Sequence, residues 1–438
     1  MIKVCDAFMG AGKTSAAINY MRSNRDKKFI YITPYYDETE RIRDACPGLH
    51  FWLPSNVKEE YDHAKRNHLK ALVQEGRNVS ITHALFKLAD NETIDTIKEQ
   101  GYCIIIDEAV DVFNKLEISE SDLALIMASG WLQVEDIGDA KIYTYDIESA
   151  PFKYQSGRYM DLFIYAASQR LTEISDVGTG KNFWYWTLHD SLFCGDNEII
   201  VLTFMFKGSI MAGFLQANLV DFEYIGVRKT SEVGPAGEPI FEFVNTPQCP
   251  PEHIGHLSSL VDILEDNKMN AIGDRINALS SNWFETRLKS DKKEDLETLK
   301  KNAYNYFRNM FGNFAADQRL WSTYSKAEAK LKGDGYGKAF LSFTTKAVNE
   351  YRHCCVLAYL VNIYNDPNIK IYLNNRGATI NDNDYALSTM IQWIWRSAIR
   401  DGKPIHIYLP SRRMRTLLKN WIKESEETYH RMKSAEAE

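Results

Sequence analysis

A glycine-rich turn lies near the N-terminus of this 438-residue chain, between a short apolar segment and a helical pattern. Residues 1–7 predict a buried strand, residues 10–14 are Gly-Ala-Gly-Lys-Thr, and a helical run continues to Met21. Glycines let backbone N–H groups close around phosphate oxygens, and the N-terminus of the following helix adds partial positive charge. This order of strand, turn and helix predicts a phosphate-binding loop, although Ala7 stands where the strict eight-residue pattern has glycine.

The loop predicts a site for ATP and Mg²⁺. Lys13 would reach the β- and γ-phosphates, and the hydroxyl of Thr14 would hold the metal ion. Backbone N–H groups of the loop and of the first helical turn would bind the remaining phosphate oxygens. The other predicted contacts to ATP come from Met9, Gly10, Ala11, Gly12 and Ser15.

A second segment carries the acidic residues that such a site needs. Residues 103–106, Cys-Ile-Ile-Ile, predict a strand buried on both faces, and this strand ends at Asp107 and Glu108. Asp107 suits a ligand of Mg²⁺ or of its water, and Glu108 suits the general base that activates a water molecule. An acidic surface turn after a core strand would explain an isolated Asp-Glu pair, but the preceding phosphate-binding loop favours the catalytic interpretation.

Residues 107–110, Asp-Glu-Ala-Val, resemble the superfamily-2 helicases of the DEAD/DEAH-box type, particularly their phage-encoded members. Residues 29–35 resemble motif Ia of that family, residues 80–86 resemble motif Ib, and residues 201–206 loosely resemble motif III. A strand followed by an ordinary turn would account equally well for the segments that resemble Ia and Ib. The resemblance implies that these two strand ends contact the nucleic-acid backbone, through Thr33, Pro34, Tyr35, Thr82 and His83.

Residues 390–402 resemble motif VI of the same family. Gln392, Arg396 and Arg400 are spaced four residues apart, which predicts that they share one face of a helix. The resemblance implies that the two arginines stabilise charge on the γ-phosphate as arginine fingers. Trp395 replaces the family's glycine, so the choice between the two arginines stays open. An amphipathic helix with two solvated arginines is the alternative.

Two further segments predict contacts to nucleic acid. Residues 340–347 resemble motif IV, which implies that Thr344, Thr345 and Lys346 contact nucleic acid. From residue 396 to residue 423 there are eight Lys or Arg residues and one acidic residue, in a chain whose net charge is -7. We therefore predict that this segment contacts the phosphate backbone, through Arg412 and Arg413.

Apolar strands that alternate with helical patterns predict an α/β fold. The predicted fold class is two RecA-like P-loop NTPase lobes with parallel sheets and a helical insertion between them. Residues 1–225 would form the first lobe, with an insertion at about 111–197, and residues 338–422 would form the second. Residues 226–337 would form a linker and a helical accessory region, and residues 423–438 a polar tail.

Together the motifs predict an ATP-dependent nucleic-acid motor, a helicase or translocase, whose lobes open and close with hydrolysis. The resemblance implies a role in phage or bacterial replication or recombination, with DNA favoured over RNA and with proteins of those pathways as partners. The alternative is another P-loop ATPase, of packaging or regulatory type, that does not separate strands. Scattered cysteines and the lack of a long apolar run predict a cytoplasmic protein without a membrane segment.

Overall fold

The computed structural model describes residues 1–56, 64–138, 140–146, 158–175, 182–188, 190–234, 237–289, 294–345 and 350–437. The chain forms two compact units. The first unit comprises Met1–Asp6, Gly12–Pro247 and Asp366–Ile380, and the second comprises Ala7–Ala11, Gln248–Asn365 and Asn381–Glu438. Each unit is therefore assembled from separate stretches of sequence.

The described residues contain sixteen β-strands and sixteen α-helices. The strands are β1 (Ile2–Asp6), β2 (Phe29–Thr33), β3 (Val79–Thr82), β4 (Cys103–Asp107), β5 (Phe113–Lys115), β6 (Gln133–Asp136), β7 (Ala140–Thr144), β8 (Leu171–Ser175), β9 (Asn182–Thr187), β10 (Ile199–Thr203), β11 (Phe222–Val233), β12 (Pro239–Val244), β13 (Val261–Ile263), β14 (Arg319–Ser322), β15 (Val356–Tyr359) and β16 (Ile405–Tyr408). The helices are α1 (Lys13–Ser23), α2 (Tyr36–Ala45), α3 (Lys65–Gln74), α4 (His83–Lys87), α5 (Asn91–Glu99), α6 (Glu120–Ala128), α7 (Met160–Ala167), α8 (Ile210–Ala217), α9 (Leu257–Leu260), α10 (Asn267–Asn270), α11 (Ser281–Lys289), α12 (Glu294–Tyr304), α13 (Ser325–Leu331), α14 (Pro367–Asn375), α15 (Asp382–Ile394) and α16 (Arg412–Ala437).

A seven-stranded sheet forms the centre of the first unit, in the order β12-β11-β1-β10-β4-β2-β3. The strands from β11 to β3 are parallel to their neighbours, and β12 is antiparallel to β11. The residues of β2 and β10 are buried throughout, as expected for parallel strands covered on both faces. The predicted α/β fold with parallel sheets is therefore confirmed. Because the strands are parallel, the ends of β1, β10 and β4 lie at the same edge of the sheet.

A second sheet of the first unit occupies the region where the sequence predicts an insertion. Its five strands are antiparallel and follow the order β5-β9-β8-β7-β6. Trp184, Tyr185 and Trp186 of β9 are buried, and the Trp184 ring lies 4.2 Å from that of Tyr143, centroid to centroid. The sequence favours core packing over base stacking for these aromatic residues, and the structure confirms core packing.

An antiparallel ribbon of β11 and β12 lies at the edge of the seven-stranded sheet, where the sequence predicts the start of a linker. Lys229 of β11 pairs with Phe241 of β12 across the ribbon. Gly234 and Gly237 lie between the two strands, where the N–H of Gly237 donates to the carbonyl of Gly234 over 2.9 Å. Turn residues between two strands and turn residues in a linker have the same composition, so the sequence pattern does not separate the two cases.

The second unit is built on a four-stranded parallel sheet in the order β13-β16-β15-β14. β15 and β16 come from the region predicted as the second lobe, whereas β13 and β14 come from the region predicted as linker and helical accessory segment. Trp321 of β14 is fully buried in the apolar core of this unit. The segment predicted as a polar tail continues α16 as far as Ala437.

α14 belongs to the first unit, although it lies between β15 and β16 in the sequence. Leu373 is fully buried in the core of the first unit, and the ring of Tyr372 lies 5.6 Å from that of Phe113. The hydroxyl of Tyr185 donates to the carboxylate of Asp366 over 3.1 Å. Residues 366–380 therefore complete the core of the first unit.

Candidate nucleotide site

The loop between β1 and α1 has the backbone that a phosphate-binding loop needs. Gly10 and Gly12 have φ angles of 87° and 95°, in the left-handed region that glycine adopts without steric cost. The N–H of Ala11 donates to the carbonyl of Phe8 over 3.1 Å, which closes the turn. α1 then begins at Lys13, with Gly12 as its N-terminal cap and no side chain to cover the first N–H groups. The positive end of the helix is thus directed at the loop.

Asp107 lies at the end of β4, on the same edge of the sheet as the loop. Burial is the main cause that raises the pKa of Asp107 to about 7, and the neighbouring charge of Glu108 contributes to the same rise. The hydroxyl of Tyr31, which donates to Asp107 over 3.0 Å, and the charge of Lys13 act in the opposite direction. The carboxyl group is therefore held in place by a hydrogen bond but is hard to ionise.

Lys13 is the cation beside this acidic pair. Only 8% of its surface is exposed, and burial lowers the pKa of its ammonium group. The charges of Glu108, Asp107 and Asp6 favour the protonated form and oppose that shift. A titratable group with a pKa shifted by burial and by specific charged neighbours is a candidate for a functional site.

Glu108 adopts a strained backbone conformation. Its φ angle is 61°, in the left-handed region that non-glycine residues rarely occupy. Its N–H donates to the carbonyl of Leu202 on β10 over 2.8 Å, so the neighbouring strand holds the strained turn. Backbone strain of this kind costs about 1–3 kcal/mol and is concentrated at functional sites.

Three residues that the sequence did not assign to the nucleotide site contact the groups that form it: two that the sequence did not single out and one that it assigned to nucleic acid. Asp6 is the last residue of β1, and its carboxylate accepts hydrogen bonds from the N–H groups of Met205 and Phe206, over 2.7 and 2.9 Å. This joins the start of the loop to the turn after β10. Tyr31 supports Asp107, as described above. Only the position of Asp6 directly before the loop gave a signal in the sequence.

The third is His83, for which the sequence predicts a contact to nucleic acid. It is 7% exposed, and its Nε2 lies 2.9 Å from the backbone carbonyl of Asp107. Thr33 is fully buried, and the hydroxyl of Thr82 accepts a hydrogen bond from the N–H of Leu85, which caps α4. Thr33 and His83 are thus buried and Thr82 is half-buried, and their contacts to nucleic acid stay a prediction. Pro34 and Tyr35 are half-buried.

The predicted common helix face of Gln392, Arg396 and Arg400 is wrong. α15 ends at Ile394, and Arg400 lies in a separate helical turn, Ala398–Asp401. The helix ends where Trp395 packs into an aromatic cluster of the second unit, 6.2 Å from the ring of Phe8 and 5.3 Å from that of Trp421. Gln392 stays on α15, where its amide lies 3.2 Å from the hydroxyl of Ser388.

The two arginines have different surroundings. Arg396 is 7% exposed, whereas Arg400 is partly exposed. Gly10 belongs to the same compact unit as Arg400. The Nε atom of Arg400 lies 3.7 Å from the position that a Cβ atom on Gly10 would occupy. Arg400 is therefore the arginine that lies next to the glycine-rich loop.

Arg413 holds the second unit together. Its guanidinium donates to the side chain of Asn362 over 2.9 Å, to the carbonyl of Ile363 over 2.6 Å and to that of Asp382 over 2.8 Å. It also lies over the ring of Tyr364, 4.2 Å from the centroid. This geometry favours a structural role over the predicted contact to phosphate, whereas Arg412 is exposed.

The region that resembles motif IV forms a turn after Phe340, which is bridged to Trp321 of β14. The N–H groups of Thr344 and Thr345 donate to the hydroxyl and the carbonyl of Ser342, over 3.3 and 3.1 Å. Thr344 is exposed and Thr345 is half-buried. Lys346 lies outside the described residues.

Two properties of the described residues concern the metal and the membrane. No group of three or more His, Cys, Asp or Glu side chains there could hold a metal ion without other ligands. A Mg²⁺ ion beside a triphosphate commonly uses only one or two protein groups. Among the helices of the same residues, none has the length and apolar character needed to cross a bilayer.

The parallel sheets, with a glycine-rich loop at the edge of one of them, define an α/β protein. Residues 255–422 match the YonV C-terminal Rossmann-like domain. The chain is 33% identical over 423 residues to the SPbeta prophage-derived uncharacterized protein YonV of Bacillus subtilis (strain 168), covering 96% of this chain and 98% of that protein. The chain therefore belongs to the YonV family.

Two solved structures share a low overall similarity with the chain. One, "XPD_Helicase", has a TM-score of 0.40 and 9% sequence identity, with 96% of this chain and 94% of the other covered. The other, S. tokodaii Xpd4, has a TM-score of 0.45 and 11% identity, with the same coverage of 96% and 94%.

Proposed function

We propose that the chain binds ATP with Mg²⁺ at the loop between β1 and α1 and hydrolyses it to drive movement on nucleic acid. One observation carries the proposal: a loop with two left-handed glycines, a buried lysine and an adjacent acidic pair share one edge of a parallel sheet. Burying a charged group costs free energy. A loop that only reversed the chain direction would not need a buried ammonium group with two carboxylates beside it.

Each residue of the site has a chemical role in this proposal. The N–H groups of the loop and Lys13 bind phosphate oxygens, and the contacting residues are Met9, Gly10, Ala11, Gly12, Thr14 and Ser15. Thr14 and Asp107 fit a Mg²⁺ ion, which would neutralise charge on the phosphates. Glu108 accepts the proton of the attacking water, and its hydrogen-bonded backbone fixes the direction of its side chain.

Arg400 is our candidate for the arginine that stabilises charge on the γ-phosphate. Its support is the short distance to Gly10, together with partial exposure of its side chain. Arg396 has less support, because its side chain is buried. A planar guanidinium is always charged and can donate two parallel hydrogen bonds to a phosphate group.

The proposed contacts to nucleic acid involve exposed and half-buried residues outside the nucleotide site. The basic segment from residue 396 to residue 423 remains the best candidate for contact with phosphates, with exposed Arg412 as its representative. Tyr35, Pro34 and Thr344 remain candidates at the other predicted contacts. DNA is favoured over RNA, and a role in replication or recombination is in keeping with the prophage origin of the YonV relative.

ATP hydrolysis by the pure protein tests the proposal, measured alone and with single-stranded DNA, duplex DNA or RNA. Hydrolysis should fall to background in Lys13→Ala and rise with one class of nucleic acid. Hydrolysis that no nucleic acid changes would favour the alternative, a P-loop ATPase of packaging or regulatory type. No hydrolysis and no nucleotide binding by the wild-type protein would exclude both.

A second measurement tests the arginine. Arg400→Ala should leave ATP binding within about threefold of wild type and lower the turnover number at least a hundredfold, because it removes charge needed in the transition state. Lys403→Ala is the matched control, since it removes an exposed cation three residues away. Normal turnover in Arg400→Ala would exclude Arg400 as the finger.

A further inference from the structure

The edge ribbon packs along the helix that follows the loop. The side-chain amide of Asn19 on α1 donates to the carbonyl of Phe241 on β12 over 3.1 Å. Two residues further on, the ring of Phe243 lies 5.9 Å from that of Tyr20. Alternate residues of a strand point to the same face, so both phenylalanines face α1.

Phe241 lies directly against the loop. A Cβ atom built on Gly12 would lie 2.3 Å from Cδ1 of Phe241, so the ring occupies the space beside the last glycine before Lys13. Phe241 is half-buried. Phe243, by contrast, packs about two helical turns away from the loop, at Tyr20.

The order of strands indicates which part of a nucleotide would reach this ring. β10 and β4 lie on one side of β1, and β11 and β12 lie on the other. β4 ends at Asp107, and Glu108 follows it directly. A triphosphate whose γ-phosphate reaches Asp107 and Glu108 must therefore extend its nucleoside away from β4. The ribbon lies on that side.

We propose that Phe241 is the platform on which the base of the bound nucleotide stacks. The inference rests on the proposed function, because it assumes a triphosphate in the loop. Aromatic rings stack on nucleobases through their faces, and every base offers such a face. The site therefore selects a nucleoside triphosphate by the area of its base, and purines bind more tightly than pyrimidines.

Binding of Mg²⁺·ATP and of Mg²⁺·tripolyphosphate to the full chain tests the inference. Phe241→Leu keeps an apolar side chain against Gly12 but removes the aromatic face. It should weaken ATP binding about tenfold, within the range measured for stacking residues, and leave tripolyphosphate binding unchanged. Phe241→Trp should restore ATP binding. ATP and GTP should bind within about tenfold of each other, and CTP and UTP more weakly.

Phe243→Leu is the matched control, because it makes the same change on the same strand face, away from the loop. It should leave both affinities unchanged, and thermal unfolding of each variant verifies that it is folded. The inference would be overturned if Phe241→Leu weakened the binding of ATP and of tripolyphosphate equally. It would also be overturned if the two leucine variants weakened ATP binding equally. In both cases the proposed function would still stand. If wild type binds neither ligand and behaves like Lys13→Ala, the proposed function fails as well.

Discussion

At the scale of the residue, Asp107 combines a catalytic position with an unfavourable environment for its charge. The folded protein keeps this carboxyl protonated up to about pH 7, whereas an unperturbed aspartate ionises near pH 4. The cost of burying the charge is therefore small below pH 4, grows as the pH rises, and is complete above pH 7. Asp107→Asn should raise the free energy of unfolding by roughly 2–4 kcal/mol at pH 8 and by much less at pH 5.

Urea unfolding of the variant at both pH values measures this difference, and an ATPase assay should show loss of hydrolysis in the same protein. Asp95→Asn is the control, because the side chain of Asp95 on α5 is 61% exposed. It should change stability by less than about 0.5 kcal/mol. Destabilisation by Asp107→Asn at pH 8 would mean that hydrogen bonds to the carboxylate outweigh its desolvation.

At the scale of the element, the structure gives Thr82 a role in capping a helix, beside the contact to nucleic acid that stays a prediction. Its hydroxyl caps α4, so Thr82→Ala should lower the free energy of unfolding by about 1 kcal/mol. Thr82→Ser keeps the hydroxyl and should lose less than half of that. The predicted contact to nucleic acid requires the opposite pattern, in which Thr82→Ala weakens nucleic-acid binding while denaturant unfolding is unchanged.

The elements that the sequence predicted well are those with continuous apolar runs. β2, β4 and β10 are buried on both faces, so their residue types alone indicate strands. β6 is exposed at every position, and β13 has three residues, so neither gives a pattern. The end of α15 was also not predictable, because Trp395 suits a helix locally and leaves it for packing against distant aromatic residues. The glycine-rich loop and the acidic pair were predictable because each is a continuous stretch of sequence. The roles of Asp6 and Tyr31 were not predictable, because they depend on contacts between residues that are distant in the sequence.

At the scale of the whole molecule, the first unit depends on residues 366–380 for part of its core. These residues follow most of the second unit in the sequence. Leu373 on this segment is fully buried in the first core, and Leu360, thirteen residues earlier, is fully buried in the second. Leu373→Ala should therefore destabilise the first unit by about 2–5 kcal/mol, and Leu360→Ala the second unit by a similar amount.

Hydrogen exchange followed by mass spectrometry separates the two effects, because local stability is reported peptide by peptide. In Leu373→Ala, exchange should accelerate in peptides from β5, β9 and α8, more than 150 residues away in the sequence, while β14 and β15 remain protected. Leu360→Ala should give the reverse pattern, which controls for a general loss of stability. If exchange accelerated only in the second unit in both variants, the assignment of α14 to the first core would be contradicted. Leu373 would then stabilise the unit that contains its neighbours in the sequence.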